Sequence, residues 1–155
     1  MALENDTQAP DFELVSQFGE RIQLSAYRGE KTVALVFFPL AFSGICSSEL
    51  CELRDNLALF AANGVELIGI SVDSRHTLRA FSEQEGYGFT LLADFWPHGA
   101  VAKEYGVFLD EKGFANRATF LIDPSGIIRA SFITAPGEPR SIDAYRAALA
   151  ALQPA

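Results

Sequence analysis

Cys46 is the side chain in this sequence best placed to act as a nucleophile. It ends the stretch Pro39-Leu40-Ala41-Phe42-Ser43-Gly44-Ile45-Cys46, which links a continuous apolar run to a segment with helical spacing. Ligand sites in open α/β sheets gather at such strand ends. A residue in or beside the first helical turn faces unpaired backbone N–H groups and the positive end of the helix dipole. Both favour thiolate over thiol, and the thiolate is the form that attacks an electrophile. For a peroxide, charge also builds on the departing oxygen, so fixed donors must lie along the O–O axis. Ser43 offers a hydroxyl on the same turn. Pro39 contributes no N–H and shields the sulfur from water. Arg117, just before the run Ala118-Thr119-Phe120-Leu121-Ile122, offers a planar fork of donors able to hold thiolate and peroxide oxygen together. Taken singly, each residue has a plainer reading: Cys46 as a small buried hydrophobe, Ser43 as a helix N-cap, and Arg117 as a solvated rim charge.

A second cysteine, Cys51, lies five residues on. Two close cysteines are redox-active, metal-binding or simply buried. Structural zinc lacks a ligand set, because His76 and His98 are remote and no second Cys-x-x-Cys exists, so no metal and no cofactor is expected.

The elements that must hold these residues follow from hydrophobic period and turn chemistry. Segments 10–18 and 21–24 alternate around Gly19-Glu20 and predict an N-terminal β-hairpin. Thr32–Phe38 and Val65–Val72 are continuous β-prone runs, as in strands buried on both faces. Between them, residues 46–62 carry Leu50, Leu53, Leu57 and Phe60 at helical spacing, with Gly64 as C-cap. A helix over 75–85 closed by Gly86, a short strand over 90–92 and a short helix over 99–105 follow. Strands over 118–122 and 127–133 flank the turn Asp123-Pro124-Ser125-Gly126. The last helix, 141–152, is capped by Ser141 with Asp143 in its first turn. This order predicts an α/β thioredoxin-like fold, a mixed central sheet flanked by helices behind an N-terminal hairpin.

With 155 residues, 49% of them hydrophobic, the chain predicts one domain over 1–155 with a real core. A net charge of -8 and no basic run argue against nucleic acid. The longest apolar stretch, 33–42, is too short to span a membrane. With neither a basic n-region nor an apolar h-region at its start, the chain is expected in the cytoplasm.

Together, Pro39, Ser43 and Cys46 resemble the peroxiredoxin signature Pro-x-x-x-(Thr/Ser)-x-x-Cys, and Arg117 sits where that family carries its active-site arginine. The resemblance runs from Ala9-Pro10-Asp11-Phe12 to the terminal helix. It implies that Cys46 is the peroxidatic cysteine of a thiol peroxidase acting on hydrogen peroxide and organic hydroperoxides, with Pro39, Ser43 and Arg117 activating it. Glu49 resembles the acidic residue often found one turn later, and is equally readable as an exposed first-turn Glu. Phe37–Cys46 and Asp94-Phe95-Trp96-Pro97-His98-Gly99-Ala100-Val101 are similar to the AhpE type of actinobacteria. That likeness makes Trp96 a candidate wall of the pocket, or else a core aromatic; His98 is better read as capping a helix than as a catalyst.

Cys51 departs from the AhpE type. Its spacing is that of the bacterioferritin-comigratory (PrxQ) type, where it resolves the oxidised cysteine; the alternative is a packing role. An intact helix would separate the two Cα atoms by about 8–9 Å, beyond the roughly 4.4–6.8 Å of a disulfide, so a resolving Cys51 requires the helix start to melt. No C-terminal cysteine arm follows the last helix, unlike the typical two-cysteine class. The resemblance implies a homodimer or larger assembly and a thiol reductant, either mycoredoxin with mycothiol or thioredoxin. Two other readings are a redox sensor or relay and a thioredoxin-like dithiol oxidoreductase; the Cys-x4-Cys spacing suits the latter less well.

Overall fold

A computed structural model of the chain describes residues 2–152. Its centre is strand β3, Thr32–Phe37, preceded by the hairpin β1 (Glu13–Ser16) and β2 (Arg21–Gln23). Side chains alternate along β3 as its period of two requires. Val33, Leu35 and Phe37 enter one core cluster, and Ala34 and Val36 enter the other. An apolar run without polar gaps therefore makes a strand covered on both faces.

Strand β4 (Val65–Ser71) pairs parallel with β3, and β5 (Thr90–Ala93) pairs parallel with β4. On the other side, β8 (Arg117–Ile122) runs antiparallel to β3, and β9 (Ile128–Thr134) antiparallel to β8. Strand β1 joins β5 antiparallel, giving the order β2-β1-β5-β4-β3-β8-β9. Gly69 in β4 allows two layers to close over the strand: a Cβ there would lie 2.8 Å from Leu91 Cδ2 and 3.3 Å from Phe38 Cε1. This mixed sheet with flanking helices is the expected thioredoxin-like architecture.

Helices α1 (Gly44–Asp55), α2 (Leu57–Ala62), α3 (Arg75–Glu85) and α5 (Ile142–Leu152) contribute Leu50, Leu53, Phe60, Leu78, Phe81, Tyr145 and Leu149 to one core. The short helix α4 (Ala100–Glu104) packs Val101 and Ala102 into the other. Helix α3 forms where its caps stand: Ser74 accepts from the Thr77 N–H, and Gly86 closes it at φ 69. Ser141 caps α5, accepting from the Ala144 N–H.

Three elements differ from the sequence expectation. The helix expected over 46–62 begins two residues earlier, at Gly44, and breaks at Asn56, whose φ of -115 leaves the helical range while its side chain bonds the Glu52 carbonyl. A one-turn 3-10 helix occupies Leu24–Tyr27. A small hairpin of β6 (Phe108–Leu109) and β7 (Phe114–Ala115) lies where no element was expected; each strand has two residues, too few to show a period.

No helix among the described residues is long and apolar enough to cross a membrane.

Candidate active site

The sheet register builds the site. Parallel β3 and antiparallel β8 put the end of one strand beside the start of the other, with Phe37 opposite Ala118. The chain leaving β3 turns into α1, while Arg117 opens β8 at the same edge. The Leu40–Ser43 loop is pinned: Asp73 accepts from the Ala41 N–H at 2.8 Å, and Ser43 Oγ donates to the Leu40 carbonyl at 3.1 Å. Phe42 adopts φ 66, a left-handed conformation costly for a bulky residue. Ser43 occupies the N-cap position of α1, but its hydroxyl caps no N–H.

Cys46 therefore stands in the first turn of α1, fully buried. Arg117 Nη2 lies 3.2 Å from its sulfur. The same guanidinium donates from Nη1 to Glu49 Oε1 at 3.1 Å and from Nε to the Pro136 carbonyl at 2.7 Å. Three nitrogens of one planar fork thus have three different partners, which fixes its plane. The Arg117 side chain is 2% exposed, so it is not a rim charge.

Glu49 is likewise buried and not an exposed first-turn residue. Its Oε2 accepts from the Arg140 backbone N–H at 2.6 Å and from Arg140 Nε at 3.0 Å, and its Oε1 accepts from Arg140 Nη2 at 2.6 Å. Arg140 continues to Thr119 Oγ1 at 3.1 Å, which meets Tyr145 Oη at 2.9 Å. Burial pushes the Glu49 carboxyl up, but the hydrogen bonds and charge of Arg140, with Arg117 behind them, prevail and hold it below the usual carboxylate range. Arg140 was not anticipated. It follows Pro139 outside any strand or helix, and nothing local marks it as a partner of Glu49, 91 residues away. The buried charges here, Arg117, Arg140 and Glu49, sum to +1. One further negative charge in contact with Arg117 would bring the cluster to zero.

Above this cluster lies an open cleft of about 260 Å³, lined by Pro39, Leu40, Ser43, Ile45, Phe114, Arg117 and Pro136. Cys46 lies beneath this lining, which includes its neighbour Ile45 and Arg117, whose Nη2 is 3.2 Å from the sulfur. The site thus brings together Cys46, Pro39, Ser43, Arg117 and Glu49.

Three residues are placed elsewhere. Trp96 is 80% exposed and, with Phe95, His76 and Arg75, lines a separate cleft of about 340 Å³. It follows β5, two strands away from β3, and so neither walls the Cys46 cleft nor enters a core. His98 does not cap α4; Asp94 does, accepting from the Val101 and Ala102 N–H groups at 3.1 and 2.9 Å. His98 Nε2 instead donates to the Gly113 carbonyl at 2.7 Å. Cys51 shares the continuous helix α1 with Cys46 but turns away from Arg117: its thiol donates to Glu85 Oε2 at 3.3 Å and lies 3.7 Å from Tyr87 Oη. Burial pushes that thiol up, Tyr87 opposes, and the Glu85 carboxylate adds to the rise.

Residues 6–131 match the model of the AhpC/TSA family. The chain is 50% identical over 144 residues to alkyl hydroperoxide reductase E of Mycobacterium tuberculosis, covering 93% of this chain and 94% of that protein. It is 34% identical to the chloroplastic 2-Cys peroxiredoxin BAS1 of Spinacia oleracea, over 94% of this chain and 58% of that one. Among solved structures, AhpC of Enterococcus faecalis superposes with a TM-score of 0.87 at 28% identity, covering 97% of this chain and 92% of that one.

Proposed function

Because this chain belongs to the AhpC/TSA family of peroxiredoxins, which are thiol-dependent peroxidases, we propose that its reacting atom is the Cys46 sulfur. The observation that carries this reading is the Arg117 Nη2 donor 3.2 Å from Sγ, inside a buried cluster that a thiolate neutralises. The thiolate attacks the terminal oxygen of a hydroperoxide ROOH. The S–O bond forms as the O–O bond breaks, sulfur loses two electrons to the peroxide, and Cys46 becomes a sulfenic acid that retains the terminal hydrogen. The departing RO⁻ leaves as ROH after taking a proton from water. The Arg117 fork spans sulfur and bound peroxide, and stabilises the charge growing on the leaving oxygen. Ser43 and Pro39 edge the cleft beside it. Glu49 and Arg140 hold the fork in plane.

The substrates are hydrogen peroxide and organic hydroperoxides. A cleft edged by Leu40, Ile45, Phe114 and Pro136 accommodates an apolar R group. Cys51 resolves the sulfenic acid once the start of α1 unwinds, because in the intact helix its thiol faces Glu85 and not Cys46. The reductant is thioredoxin, or mycoredoxin with mycothiol. The protein acts in the cytoplasm as a homodimer or larger assembly; Phe42, Phe95 and Trp96 supply exposed apolar surface for it. Stopped-flow oxidation of wild type beside Cys46→Ser tests the central assignment, and a mutant that keeps full peroxidase activity overturns it.

A further inference from the structure

The hairpin β6–β7 is short, and its turn is closed by the Lys112 and Gly113 N–H groups donating to the Leu109 carbonyl. Its register is two residue pairs, Phe108 with Ala115 and Leu109 with Phe114, and so short a ribbon is not stable alone. Yet its last strand carries Phe114 into the cleft above Cys46, beside Arg117 and Pro136. Strand β6 and the loop after it edge an outer cleft of about 410 Å³ with Phe108, Leu109, Asp110, Glu111 and Lys112, and Pro136 lines both spaces.

The outer end of the hairpin is tied to α4 and the segment before it. His98 Nε2 donates to the Gly113 carbonyl at 2.7 Å, one residue from Phe114. The His98 ring meets Phe108 edge to face at 5.9 Å, and Lys103 Nζ sits 4.8 Å from the centre of the Phe108 ring. Gly99, at φ 69, lets Phe108 seat against the backbone, since a Cβ there would lie 2.3 Å from the ring. The base of the hairpin is held in the core by Val107 and Ala115, with the Asn116 N–H donating to the Val107 carbonyl, and His98 adds a tie at its outer end, to Phe108 in β6 and to Gly113 in the turn before β7.

We propose that His98 is a positioning residue for the peroxide site: by anchoring the β6–β7 hairpin it sets Phe114 against the cleft and determines how well bulky organic hydroperoxides, unlike hydrogen peroxide, reach Cys46. This rests on Cys46 being the peroxidatic residue. Hydrogen peroxide carries no R group to pack against that wall. An organic hydroperoxide must pack its R group, and a wall displaced by even about 1 Å lowers its rate.

The test is the second-order rate of Cys46 oxidation by hydrogen peroxide and by cumene hydroperoxide, in wild type, His98→Ala, Phe114→Ala and the double variant. His98→Ala lowers the cumene hydroperoxide rate about fivefold or more and leaves hydrogen peroxide within about twofold. Phe114→Ala also lowers the cumene hydroperoxide rate, and the double variant is no slower with cumene hydroperoxide than Phe114→Ala, because both changes act through one wall. Equal loss for both peroxides, no loss for either, or additive losses in the double variant overturns the proposal while leaving Cys46 in its role. A wild type whose Cys46 reacts with neither peroxide overturns the peroxidase reading and this proposal with it.

Discussion

Replacing Arg117 separates the charge of the guanidinium from its shape. Arg117→Met removes the donor 3.2 Å from the Cys46 sulfur, the bond to Glu49 and the bond to the Pro136 carbonyl. Losing one preorganised donor to developing charge costs about 100- to 1,000-fold in rate. The remaining cluster is Arg140 with Glu49, already neutral without Cys46, so a thiolate there no longer balances a buried positive charge. Stability falls less than the burial suggests. Glu49 keeps three bonds from Arg140, so no charge is orphaned, and the cost stays below the about 3–5 kcal/mol of a broken buried pair. Arg117→Lys restores the charge but not the fork. One ammonium cannot reach the sulfur, Glu49 and Pro136 from three fixed directions, so its rate falls between the other two, about 10- to 100-fold below wild type. The assay is stopped-flow oxidation by hydrogen peroxide, with urea unfolding of each variant as the control. Arg117→Met within about tenfold of wild type refutes the role of the donor. Arg117→Lys at the wild-type rate refutes the argument from geometry.

Treating the reduced protein with one equivalent of peroxide, without added thiol, yields a mass lower by two hydrogens, and Cys51→Ala abolishes that loss; a persistent sulfenic acid at Cys46 with Cys51 free refutes the resolving role. Glu49→Gln is destabilising by about 3–5 kcal/mol near neutral pH, measured by urea unfolding, because it leaves Arg140 buried without its carboxylate. The folded-state Glu49 carboxyl lies below its ordinary value. Its stabilisation is therefore fully present above the ordinary carboxylate value of about 4.3 and is lost as pH falls through the lowered value, so the gap between wild type and Glu49→Gln closes in that acid window. A gap that stays constant through acid pH counts against this linkage. Sedimentation at micromolar concentration gives a dimer or larger species, and a monomer alone refutes the assembly.

Much of the fold is legible because its signals are local. Thr32–Phe37 reads as a doubly covered strand from its own composition, and α3 is bounded by Ser74 and Gly86, which act on N–H and C=O groups within a few residues. Pro39, Ser43 and Cys46 fall within one eight-residue window, so their spacing on the turn is set by the chain itself. Glu49 is different. Whether it points to water or into a buried cluster depends on Arg117 and Arg140, 68 and 91 residues away, and no periodicity reports that pairing. Asn56 breaks a helix that the leucine spacing continues, because that spacing is satisfied by either one helix or two. Trp96 and His98 share a segment but go to a solvent-facing cleft and to the β6–β7 hairpin, respectively, since strand order, not sequence proximity, decides which edge residues meet. The sequence by itself determined the candidate nucleophile and the strand-to-helix turn that presents it, because both signals are short-range. Only the tertiary structure decided the charge balance around the sulfur and the walls of the cleft, because both depend on groups that antiparallel β8 and the segment before α5 bring in from far along the chain.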